Sequence, residues 1–251
     1  MTAMLVNILY KLERVLSLLQ GKGWGAGTTA REFRQLQKVL GPARHGIFVD
    51  IGGHRGTYSE QILAQAPAAR IVLFEPSAVN HRFLAEKFKG SAVTVEPFAV
   101  SDTAGDMILH ANSEGSSLAS LNKRNLDHIG LDFEHEESVT AIRFEDYWKE
   151  QLGGQPIDAC KIDVEGHELS VLEGFGEAIK SVSVVQFEFG GTNIDSRTYL
   201  RDFWLFFERH GFDLYRITPF GPHKLNRYRE GEENFSITNF LARNRRLDDA
   251  T

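Results

Sequence analysis

Apolar residues recur along this chain at two periods, and the period changes near Ile47. Leu5, Ile8, Leu9, Leu12, Leu16 and Leu19 return at helical spacing, which predicts an amphipathic helix over residues 4–19. Lys11, Glu13 and Arg14 interrupt it, so it is too short and too charged to span a bilayer, and it lacks the flanks of a signal peptide. A glycine-rich break at 21–27 precedes a second predicted helix, capped by Thr28 or Thr29 and stopped after Leu40 by Gly41-Pro42.

Beyond that point short apolar runs alternate with helical stretches. Strands are predicted at 47–51, 71–74, 93–102, 157–162, 182–189, 212–217 and 235–242. Helices are predicted at 57–66, 78–88, 169–175 and 199–210, while 106–147 has weak periodicity, with short strand-like pieces at 107–110 and 139–144. Such alternation implies an α/β fold: a mostly parallel sheet with helices on both faces. Its ligand is expected beyond the carboxyl ends of the strands, where strand order reverses. The expected organisation is an N-terminal helical extension, 1–44, followed by one domain, 45–246.

Composition narrows the partners. The 251 residues carry a net charge of -6, which argues against a general nucleic-acid binder. The only cysteine, Cys160, lies in an apolar run, reads as a small buried hydrophobe and suits a reducing cytoplasm. The first helix is expected to pack on its own domain or on a second subunit, giving a homo-oligomer. A membrane-surface role is disfavoured, because its polar face is not strongly basic.

The chemistry begins at the first strand, which ends Asp50-Ile51-Gly52-Gly53-His54-Arg55-Gly56. Glycines there allow a sharp turn and close approach to a ligand. Their spacing is not that of a dinucleotide fingerprint, and Asp50 would repel a pyrophosphate. Glu75, closing the second strand before Pro76, can accept from both hydroxyls of a ribose. A nucleoside without pyrophosphate, beside a carboxylate, describes S-adenosylmethionine. Ser101-Asp102 reads equally as an adenine contact or as a simple turn.

These segments resemble the FkbM family of methyltransferases. The resemblance rests on Val49-Asp50-Ile51-Gly52-Gly53-His54-Arg55-Gly56, Phe74-Glu75-Pro76, Ala99-Val100-Ser101-Asp102, Gly115-Ser116-Ser117-Leu118 and Gln186-Phe187-Glu188-Phe189. Its most specific piece is Lys161-Ile162-Asp163-Val164-Glu165-Gly166-His167-Glu168. The family implies a Rossmann-like class I methyltransferase fold with a seven-stranded sheet. It also implies an S-adenosylmethionine donor and O-methylation of a sugar or polyketide-type acceptor. The donor site is expected to comprise Asp50, Gly52, Gly53, His54, Gly56, Tyr58, Glu75, Pro76, Ser101, Asp102 and Asp163. Two residues depart from the family pattern. Gly53 replaces a common alanine, a change expected to be tolerated, and Arg55 would be awkward near a sulfonium unless it points outward.

Methyl transfer needs an acceptor held in line and, for a hydroxyl, a base or a metal. The catalytic candidates are Asp163, His167, Lys161 and Glu188. In one route His167 or Asp163 takes the proton. In the other, Asp163 and Glu188 hold a divalent cation; lacking a further evident ligand, the metal-free route is preferred. Lys161 and Glu188 can instead form a bracing ion pair. Ser116-Ser117 reads as an acceptor cover or a solvated turn. His128, His135 and the acidic run 134–137 read as surface, as does the basic cluster Lys224, Arg227 and Arg229. Two competing readings are a nicotinamide-dependent oxidoreductase and a non-catalytic module that holds a partner or membrane through its first helix.

Overall fold

The computed structural model describes residues 2–24, 29–42 and 46–247. Thr28, one of the two expected caps, lies outside them, as does part of the glycine-rich break. Helices α1 (Thr2–Leu19) and α2 (Thr29–Leu40) precede the sheet. Then come β1 (Ile47–Ile51), α3 (Thr57–Gln65), β2 (Arg70–Phe74), α4 (Ala78–Lys87) and β3 (Val93–Glu96). The middle of the chain holds β4 (Ala99–Val100), β5 (Gly105–Ala111), β6 (His135–Ile142) and α5 (Phe144–Glu150). It continues with β7 (Ile157–Ile162), α6 (Glu168–Gly174), β8 (Val182–Phe189), α7 (Thr192–Ser196) and α8 (Leu200–Arg209). The last strands are β9 (Phe212–Thr218), β10 (Gly221–Lys224) and β11 (Thr238–Asn244).

The main sheet runs β10-β9-β11-β8-β7-β1-β2-β3. Its five strands from β8 to β3 are parallel, and β11, β9 and β10 are antiparallel. It has eight strands where seven were expected. The addition is β10, which folds back on β9 across the Pro219-Phe220 turn and includes Gly221-Pro222 and Lys224, the start of the stretch read as a basic loop. The strand expected over 93–102 is two strands. Pro97 has no amide hydrogen to donate to a ladder, and β4 turns away to pair with β6 in a separate three-stranded sheet with β5.

Pleat alternation divides the core. Phe48, Ile71 and Leu73 face Phe33 and Leu36 of α2, Tyr58 and Ile62 of α3 and Leu84 of α4. Val49, Ile51, Val72 and Phe74 face Phe144 of α5, Leu172 of α6 and, along β8, Phe203 and Phe207 of α8. Helix α2, expected within an extension, therefore packs into the core, with Phe33 edge-on to Tyr58 at 5.9 Å. Cys160 is fully buried, which raises its thiol pKa well above the usual value. Helix α1 is the opposite: the apolar face expected to pack on its own domain stays exposed. Among the described residues no helix is long and apolar enough to cross a membrane.

Candidate active site

The chain order reverses between β1 and β7, which pair in parallel with Asp50 beside Lys161 and Ile51 beside Ile162. A cleft opens at these carboxyl ends and encloses about 570 Å³, its mouth included. Six expected residues line it: Gly52, His54, Glu75, Pro76, Asp163 and His167. Asp50, Gly53, Gly56, Tyr58, Ser101, Asp102, Lys161 and Glu188 stand behind its wall.

The glycine loop is shaped by crowding. Gly52 has φ 85°, and a Cβ there would run into the Asp163 backbone carbonyl. Its amide and that of Gly53 both donate to Phe74 O, at 3.0 and 3.1 Å, tying the end of β1 to the end of β2. A Cβ on Gly53 would strike the fully buried Leu73 side chain, so the glycine that stands here in place of the common alanine suits the packing of this chain. Gly56, at φ 74°, leaves no room for a Cβ beside Phe88. Arg55 points outward, with its guanidinium 4.9 Å from the Phe83 ring, which removes the conflict with a sulfonium.

Glu75 lies at the cleft lip. It accepts from the amides of His54 (2.8 Å) and Ser77 (3.1 Å), but burial dominates and pushes its pKa up to about 7. Next to it Phe74, Phe98, Val100 and Leu109 form an apolar slot. A carboxylate beside an apolar slot fits a ribose and its purine, as S-adenosylmethionine requires.

Asp50 is a correction. It does not face the cleft, because strand alternation turns it toward α3, where it accepts from Ser59 Oγ at 2.7 Å and is fully buried. Its Oδ1 has no hydrogen-bond partner, and burial raises its pKa even though Lys161 opposes the shift. Tyr58 is also behind the wall; its hydroxyl donates to Gln186 at 2.7 Å and its ring lies 5.1 Å from Lys161 Nζ. Lys161 pairs with Asp163 at 2.6 Å, not with Glu188. Burial opposes the Lys161 charge, but Asp163 and Asp50 outweigh it and hold its pKa above the ordinary lysine value.

Ser101 and Asp102 do not reach the cleft to meet an adenine. The Ser101 hydroxyl donates to Asp102 at 2.9 Å and sits 2.9 Å from His167 Nε2. A hydroxyl has one hydrogen, so Ser101 accepts from Nε2–H, and the lone pair of neutral His167 lies on Nδ1. Burial lowers the His167 pKa, which favours that neutral ring.

Two further residues stand at the cleft: Glu165, which the sequence puts near the strand end without a role, and Arg124, which it does not mark. Glu165 lines the cleft at φ 54°, and its carboxylate meets those of Asp163 and Glu188 within 4.8 Å. Burial and this crowding raise Glu165 to about 8 and Glu188 to about 9, and Glu188 makes no ion pair among the described residues. Arg124 reaches Glu165 at 3.1 Å and Asp195 at 3.4 Å. It belongs to the connection between β5 and β6, which crosses the cleft as a strap. Ser116, Ser117, Ser120 and Leu121 of the strap line the cavity, so Ser116-Ser117 is a cover rather than a free turn. Gly115 O receives Asn80 Nδ2 (3.4 Å) and approaches His54 Nε2 (3.3 Å), and Asn122 Nδ2 donates to Gly166 O (3.0 Å). The surface readings stand for His128 and for Lys224, Arg227 and Arg229, which are exposed; Lys224 pairs with Asp213 at 2.6 Å.

Solved structures with a similar course share little sequence. A precorrin-6y C5,15-methyltransferase from Geobacter metallireducens is 13% identical over 84% of this chain and 85% of its own, with a TM-score of 0.44. An S-adenosylmethionine-dependent O-methyltransferase from Thermotoga maritima is 10% identical over 87% and 65%, also at 0.44. A putative RNA methyltransferase from Pyrococcus horikoshii is 14% identical over 88% and 86%, again at 0.44. No curated protein matches the sequence. The family described as "Methyltransferase FkbM domain" matches residues 50–214, most of the chain, and the protein belongs to that family of S-adenosylmethionine-dependent methyltransferases.

Proposed function

We propose that this methyltransferase acts on a hydroxyl of a small acceptor, a sugar or a similarly hydroxylated polyketide-type molecule. The observation that carries the reading is the chain Asp102–Ser101–His167, which leaves His167 with a basic Nδ1 on a residue that lines the cleft. A sugar hydroxyl needs such a base before it attacks. The strap limits the size of the acceptor. That supports the expectation of no nucleic-acid substrate.

In this reading Glu75 accepts the ribose hydroxyls of the donor, and the slot of Phe98, Val100 and Leu109 takes its purine. Asp163 faces the donor's ammonium or the acceptor hydroxyl. Bound S-adenosylmethionine supplies the methyl group on a cationic sulfur, which leaves with the electron pair of the broken bond. His167 Nδ1 takes the acceptor's proton and Ser101 holds the ring in register. The strap excludes water, leaving the acceptor hydroxyl as the available nucleophile.

A second reading has Asp163, Glu165 and Glu188 holding a divalent cation that acidifies the hydroxyl. Glu165 supplies the third ligand that the sequence reading lacked. One experiment addresses both. The protein is incubated with S-adenosylmethionine and a panel of free sugars, nucleotide-linked sugars and macrolide aglycones, and products are detected by mass. His167→Ala should lower turnover about a thousandfold while leaving donor binding intact. Activity abolished by chelation and restored by magnesium would favour the second reading. Methylation of RNA with none of the panel would overturn both.

A further inference from the structure

Helix α1 is attached to the domain at one end, and none of the described residues covers its apolar seam. Just after it, a Cβ on Gly21 would collide with the Ile217 carbonyl, Gly23 N donates to Thr238 Oγ1 at 3.1 Å, and Lys22 Nζ reaches Gly231 O at 2.8 Å. The helix leaves this anchor with Leu5, Leu9, Leu12, Leu16 and Leu19 each 45–57% exposed. Their spacing is four, three, four, three, so they form one seam along the 18-residue helix, the pattern that meshes with a like seam. Ile8 and Val15 flank the seam and are exposed too.

We propose that α1 is a homodimerisation element, pairing with α1 of a second copy about a two-fold axis. Area is the first argument. The seam and its flanks leave on the order of 600 Å² of contiguous apolar surface in water, at the limit for a monomer and near the ~800 Å² that one partner gives to a stable interface. Charge is the second. Outside the seam and its flanks the helix exposes Met4, Val6 and Tyr10, and its charges are Lys11, Glu13 and Arg14, too little positive excess to hold an anionic lipid surface. A self-complementary leucine seam needs no other partner, and two copies of one patch close without leaving an open face. No residue of α1 lines the cleft, so pairing through the seam takes no lining residue from either copy.

Sedimentation of the full chain at micromolar concentration tests this. The wild type should run at twice its chain mass of 28.2 kDa. Leu9→Glu with Leu16→Glu should run as a single chain, with the dimer dissociation constant raised about a hundredfold or more. The milder pair Leu9→Ala and Leu16→Ala should weaken it less, and S-adenosylmethionine binding should survive in both. A wild type that stays single at about 100 μM, far above the range of stable interfaces, overturns the proposal. So does a double-Glu variant that remains dimeric. A single chain that floats with phosphatidylglycerol vesicles overturns it as well, and would assign the seam to a lipid surface.

Discussion

A carboxylate buried as deeply as Glu75 ionises late even with two amide donors, which couples stability to pH and, on the role proposed for Glu75, donor binding as well. Burial raises its pKa from 4.5 to about 7 in the folded chain. The penalty on its charge is absent below the unfolded value and complete above about 7. Stability contributed at this site is therefore lost as pH rises through that window, by up to about 3 kcal/mol. On the role proposed for Glu75, ribose hydroxyls donate to its ionised form, so donor binding should weaken about tenfold per unit as pH falls below 7. Calorimetric titration from about pH 5 to pH 8 checks this, with Glu75→Gln beside the wild type. The variant should bind 10- to 100-fold more weakly, the loss of about 1.5–3 kcal/mol from a charged hydrogen bond, with a flat pH profile. A steep profile in Glu75→Gln would place the titrating group elsewhere. Glu75, Gly52 and Asp163 were legible because each closes a strand whose end the sequence marks with Gly, Pro or a charge. Asp50 was not. Every residue of β1 is buried, so polarity gave no sign that its side chain turns to α3.

Elements that keep a local period were equally legible, and those set by distant contacts were not. β8 begins and ends where its apolar run does, whereas α5 was missed because Phe144, Tyr147 and Trp148 are strand formers placed directly after β6. That helix exists because its aromatic face packs on Phe74 and Phe175, with Phe144 and Phe175 stacked at 4.2 Å. The strap between β5 and β6 is the larger omission. It has no period, and its function depends on Arg124 finding acids 41 and 71 residues away. Arg124 is nearly buried between Glu165 and Asp195, so Arg124→Ala strands two carboxylates. The expected loss is about 3 kcal/mol in chemical denaturation. Acceptor KM should rise more than donor affinity falls, since the strap covers the cleft while the proposed ribose contact, Glu75, lies outside the strap. Equal losses for donor and acceptor would show that the strap supports the whole site.

At the scale of the molecule, the two N-terminal helices share an amphipathic pattern but have opposite surroundings. The sequence grouped them as one extension, because periodicity reports that a face is apolar and not what covers it. Phe33, Leu36 and Val39 of α2 are buried against α3, β8 and β11, and Gln186 of β8 donates to Glu32 at 2.8 Å. None of the five seam leucines of α1 is buried. The packed core therefore includes α2 and leaves out the seam of α1, and thermal unfolding of three variants distinguishes the helices. Removing residues 1–19 should leave a cooperative transition and intact donor binding. Phe33→Ala should cost about 3–5 kcal/mol, a cavity beneath the β1 end where Tyr58 and Phe48 meet its ring. Removing residues 1–42 should abolish the transition, because it uncovers the face of the sheet that carries Phe48, Val184 and Leu241. If that last truncation unfolds with the wild-type midpoint, α2 contributes no stability and the packed core begins at β1.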